Sequence, residues 1–224
     1  GHMTPDEVIT LLCQAHENEA RQPLAHVPPD LIQSRIKLAL LKKIQKKLSN
    51  DAALLENLWN TNIPEAQILV AMTSHHTSPD INLLQHRIET VQHPHVADAL
   101  IESITPDLTD RKQWIDRWTS SPKEMVRRCG YTILALSGSA ISEVDCMAYL
   151  WNIVRDIHES PNFAREAMNK AVIAIGQISP RLNKEALFAV TQIGPVVLDH
   201  TDAPDALKIL TDKKLQDKFK KSRL

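Results

Sequence analysis

The chain has 224 residues, is 43% hydrophobic and 4% aromatic, and carries 26 Lys and Arg against 27 Asp and Glu, for a formal net charge of −1. No apolar run approaches the roughly 18 residues of a membrane-spanning helix, so a transmembrane protein is excluded and a soluble one is expected. Five glycines and few aromatics, beside abundant Ala, Leu, Ile, Lys and Glu, favour helices over sheets, where β-branched and aromatic residues would alternate.

Gly1, His2 and Met3 read as an expression-tag remnant with no signal peptide behind them, which leaves one helical domain expected over 4–212 and a basic tail over 213–224. The apolar periodicity predicts helices over 5–20, 35–48, 51–60, 64–74, 81–91, 94–104, 109–119, 122–137, 142–157, 161–178 and 182–194. Gln22 to Asp30, with its prolines, reads as a linker or edge loop. Asp51, Thr109 with Asp110, Ser121 and Ser160 stand where N-cap oxygens are wanted. Pro64, Pro94, Pro122 and Pro161 each head an apolar-periodic stretch and recur at intervals of 30, 28 and 39 residues. Proline is tolerated at the first helical position, where its missing N–H would be unpaired anyway. A repeat of this length points to an all-α fold, an α-solenoid with an extended concave binding surface, for which a monomer is the expectation.

The faces of two helices carry functional expectations. In PKEMVRRCGYTILAL, Met125, Val126, Cys129, Ile133 and Leu136 form the apolar stripe, so Arg128 is expected at the surface, with Glu124 in reach at i, i+4. In PNFAREAMNKAVIAIG, Phe163, Ala167, Ala171, Ala174 and Ile175 form the stripe, with Asn169 and Lys170 on a polar flank. Trp59, Trp114, Trp118 and Trp151 lie among apolar residues and read as core or repeat-interface residues. Cys13, Cys129 and Cys146 lack CxxC spacing and are odd in number, which speaks against a disulfide framework or zinc ribbon and for a reducing cytoplasm. His75-His76, His93 and His95 have no HExxH or cysteine companion, so no metal and no cofactor is expected. Asp199-His200 has no GxSxG-type nucleophile motif to serve.

Charge is uneven along the chain. RIKLALLKKIQKK holds Arg35, Lys37, Lys42, Lys43, Lys46 and Lys47 with no acid, and KKLQDKFKKSRL closes the chain with another basic cluster. Both are candidate phosphate-contacting patches, because cations that neutralise a nucleic-acid backbone release its counterions. Solvated helix faces have the same composition, so both readings stand on charge alone.

In order, RIKLALLKKIQKK, LWNTNIPEAQILVAM, WTSSPKEMVRRCGYTILAL and NFAREAMNKAVIAIG resemble the AlkD-like DNA alkylation repair family, built of HEAT-like helical repeats, over Arg35 to Ile178. VVLDHTDAPDA, with Asp199, His200, Pro204 and Asp205, looks like a branch of it with a VDH…PDA segment. The resemblance implies hydrolytic removal of cationic N3- or N7-alkylated purines from duplex DNA, in which a carboxylate stabilises charge developing on the sugar. It puts the catalytic aspartate at Asp98, a phosphate-contacting arginine at Arg128, and further backbone contacts at Arg35, Lys42, Lys46 and Lys170. The family's two tryptophans fall on Pro94 and Lys170, so the flat surfaces that would pack against the deoxyribose are absent. His93 or His95 stands in for the first tryptophan in one reading, and Lys170 replaces the second as a phosphate contact. Three functions remain open: a glycosylase acting through Asp98, a non-catalytic relative that recognises altered duplex shape, and a protein-binding scaffold.

Overall fold

Helix follows helix through the described residues of the computed structural model, 3–20, 38–73 and 80–222, and none of them lies in a strand. They fall into two compact units, Gly1–Asp107 and Leu108–Leu224.

The first unit contains α1 (Pro5–Ala20), α2 (Leu38–Gln45), α3 (Ala52–Trp59), α4 (Pro64–Thr73), α5 (Ile81–Thr90) and α6 (Pro94–Ile104). The expected helices are present where the chain is described; Gln22 to Asp30 and His75-His76 lie outside the described residues. Pro64 and Pro94 open α4 and α6 as their position predicts. Asp51 caps α3 by accepting the Ala53 N–H at 2.9 Å. The middle of this unit is α4, which packs against α1, α2, α3 and α6. Ala66 to Ala71 are therefore buried without interruption, as in any helix with neighbours on several sides. The polar member of that run, Gln67, donates from Nε2 to the Trp59 carbonyl at 3.1 Å. Arg87 is also buried and lies over the Trp59 ring at 5.1 Å, near Glu56. Burial lowers its pKa, and the Glu56 charge opposes the shift.

The second unit contains α7 (Arg111–Thr119), α8 (Glu124–Ser137), α9 (Glu143–Asp156), α10 (Asn162–Gly176), α11 (Pro180–Ile193), α12 (Ala206–Leu210) and α13 (Lys213–Ser222). Its core is α8 between α7 and α10, while α11 packs on α9 and α10. At Gly130 a Cβ would stand 2.6 Å from the Thr119 backbone nitrogen and 2.9 Å from the Trp118 carbonyl carbon. Glycine thus sets how closely α8 approaches α7.

Several local expectations are corrected. Asp110 adopts a left-handed φ of 52° and makes no capping bond; Asp tolerates that conformation. Ser121 Oγ accepts from the Lys123 N–H ahead of α8, and Ser160 Oγ donates back to the Asp156 carbonyl. Pro122 and Pro161 accordingly stand just before α8 and α10 rather than inside them. With helices on two sides of α8, Tyr131 and Leu134 are buried, while Leu136, expected on the apolar stripe, is 48% exposed. Trp59 and Trp118 are core residues as expected, but Trp151 is half-exposed and packs edge-on to Phe188, with ring centroids 5.8 Å apart. The basic C-terminal stretch is helical: α13 is preceded by the five-residue α12, whose N-cap is Asp205.

Candidate nucleic-acid interface

Asp98 lies on α6 just beyond its first turn, on the half-exposed side of a helix that buries Val96, Ala97, Leu100 and Ile101. Proline at the head of α6 is itself buried, so position 94 serves packing. His93 caps α6 without a side-chain capping bond, and His95 is exposed. Lys42 and Lys46 are both exposed, the first on α2 and the second in the turn after it. Arg35 lies outside the described residues.

Arg128 is the main correction among the site residues. It is 2% exposed, not a surface residue. Its Nη1 donates to Glu166 Oε1 at 2.7 Å and to the Phe163 carbonyl at 2.8 Å, while Glu124 Oε2 accepts the Phe163 N–H at 3.1 Å. The physical reason is that α10 covers this face of α8, so a position off the apolar stripe still faces a neighbour.

Glu166 is held on its other oxygen by His200 Nε2 at 2.8 Å. The tautomer follows from the surrounding bonds. Asn162 Oδ1 accepts the Asp199 backbone N–H at 2.8 Å, which turns its amide nitrogen toward His200 Nδ1, 2.9 Å away. Nδ1 is then an acceptor, and Nε2 carries the hydrogen given to Glu166. Burial alone would raise the Glu166 carboxyl. The Arg128 hydrogen bond and charge, joined by the charge of Lys170, outweigh it and hold the group below its ordinary value.

The Asp199-His200 segment thus folds as a strap over α10. Arg165 Nη1 donates to the Val197 carbonyl at 2.8 Å and Asn169 Nδ2 to the Pro204 carbonyl at 3.1 Å. Asn169, expected on a polar flank, is buried by that contact; Lys170, beside it, is exposed. Glu166 and Asn162 were not singled out by sequence. They share one face of α10 with each other at i, i+4, but a buried carboxylate has no periodic signature that distinguishes it from a solvated one.

Among the described residues no group of three or more His, Cys, Asp and Glu is arranged to hold a metal ion, and no helix is long and apolar enough to cross a membrane.

The chain matches the family described as DNA alkylation repair enzyme over residues 33–208. No curated protein matches it significantly. Its fold is similar to that of a solved structure described as a new family of proteins related to the HEAT-like repeat DNA glycosylases, with affinity for branched DNA structures. The TM-score is 0.75 at 18% identity, covering 99% of this chain and 96% of that one. The architecture is therefore that of the HEAT-like repeat glycosylases, all-helical as the sequence predicts. With more than half of its length inside the match, this chain belongs to the DNA alkylation repair enzyme family.

Proposed function

We propose that this protein binds DNA through the phosphate backbone and recognises altered or branched DNA structure, without needing to excise a base. The observation that carries this reading is Lys170, exposed on α10 where the resemblance would have an aromatic platform. An ammonium group there suits a phosphate and not the face of a deoxyribose. Two further features support it. The other platform position is the buried Pro94, and the Arg128 guanidinium is engaged by Glu166 and the Phe163 carbonyl, which leaves backbone contact to exposed lysines. A structural neighbour described as having affinity for branched DNA fits the same chemistry.

A second reading is favoured by one observation: Asp98 is present and only half-buried, at the position where the resemblance puts the carboxylate that stabilises an oxocarbenium-like sugar. In that case cationic N3- or N7-alkylated purines are the substrate.

The deciding experiment measures binding to a plain duplex and to a four-way junction, together with release of 7-methylguanine and 3-methyladenine from methylated duplex. The expected result is junction binding that weakens in Lys170→Gln, with base release at background. Release that disappears in Asp98→Asn replaces this reading with the glycosylase. Absence of binding to every DNA overturns both.

A further inference from the structure

Helix α13 concentrates five lysines and one aspartate, Asp217, in ten residues of a chain whose net charge is −1. It is docked, not loose. Phe219 is 4% exposed, and Gln216 Nε2 donates to the Leu210 carbonyl at 2.7 Å and to Asn183 Oδ1 at 3.2 Å. At 100° per residue, Lys213, Lys214, Lys218, Lys220 and Lys221 spread over an arc of about 160°, with Asp217 as the single acid inside it, opposite the side that carries Leu215 and Phe219. All five are exposed.

Their placement runs against the local rules for helix stability. Lys220 and Lys221 lie in the last turn, where cations complement the helix dipole, but Lys213 and Lys214 lie in the first, where they oppose it. Local conflicts of this kind are expected where a surface answers to a ligand. The charge calls for a polyanion. A membrane surface fits poorly, because an interfacial helix needs its apolar face free for lipid and Phe219 is already buried. A ten-residue helix is about 15 Å long, over which one DNA strand presents about four phosphates.

We infer that the lysine face of α13 is a DNA-backbone contact surface, additional to Lys170 on α10. This rests on the reading of the protein as a DNA-binding one and deepens it. Two cationic contacts on different elements of one unit would let the protein engage more of a branched substrate than a single patch does.

The test is the salt dependence of binding to a four-way junction, followed by fluorescence anisotropy, for the full chain and for the variant with Lys213, Lys214, Lys218 and Lys221 all changed to Gln. Loss of four phosphate contacts makes the slope of log K against log salt shallower by about 3.6 and weakens binding about tenfold or more. A second variant, Phe219→Ala, keeps every lysine but loosens the docking, and is expected to weaken binding while the helical circular dichroism of the rest persists. An unchanged slope and affinity in the lysine variant overturns the inference, even while Lys170→Gln weakens binding and the DNA reading stands. Binding by the unaltered protein to anionic-lipid vesicles but not to DNA overturns both.

Discussion

His200 Nε2 stands 2.8 Å from Glu166 Oε2 while Arg128 Nη1 holds Oε1 of the same carboxylate at 2.7 Å. One buried acid thus joins three stretches of the second unit: α8 through Arg128, its own helix α10, and the strap that carries His200. The cation that the resemblance assigns to phosphate is buried in this arrangement, bonded to the same carboxylate that the strap engages from the other side.

Breaking the pair from one side is expected to be costly. Arg128→Met leaves Glu166 buried with His200 as its remaining strong partner and should lower stability by about 3 kcal/mol, in the range for unpairing a buried charge. The double variant with Glu166→Leu should recover most of that loss, because neither charge is then stranded. Urea denaturation of the two single variants and the double one gives the coupling energy. Additive losses would mean that the pair is not coupled.

The pH dependence follows from the same carboxylate. Glu166 has a folded-state pKa below its ordinary value of 4.5, so its ionised form is favoured by folding. Its contribution is fully present above about pH 4.5 and is lost as pH falls through the lower folded value. Asp156, also held low by Arg155, contributes acid sensitivity of its own. The comparison with Glu166→Gln tests Glu166: the stability gap between the two proteins should be on the order of 2–4 kcal/mol near neutral pH and narrow below pH 4.5. A gap that widens in acid would contradict the assignment.

Removing His200 tests the strap. His200→Ala leaves Glu166 Oε2 and the Asn162 amide without their present partners, at a cost of about 1–3 kcal/mol. Amide exchange should report the loss first in Val197 to Ala203. Uniform loss of protection across the unit would show that the strap does not open by itself.

Gly130→Ala is expected to destabilise the second unit by about 2 kcal/mol or more, an overpacking effect. The obstacle is backbone on α7, not a flexible side chain: the added Cβ would meet Thr119 N at 2.6 Å. Thermal denaturation of the variant measures this; a melting temperature equal to the parent's would mean that α7 shifts without penalty.

Much of the local structure is legible in the sequence because its causes are local. Helical periodicity marks α3 to α11, Asp51 marks the start of α3, and Pro64 and Pro94 mark the starts of α4 and α6. The all-helical class and the family likewise follow from composition and from four segments in order. α13 is less legible because its apolar stripe is only Leu215 and Phe219.

The sequence by itself thus determined where helices form and which family pattern they follow, since propensity, capping and proline geometry act within a few residues. Only the tertiary structure decided which polar residues face water. Arg128 and Asn169 sit off the apolar stripes yet are buried, because α10 covers α8 and the strap covers α10; Trp151 is apolar yet half-exposed. Burial depends on which surfaces meet across 30 to 40 residues of chain, as Arg128 meets Glu166 and Glu166 meets His200, and no helical period encodes that meeting.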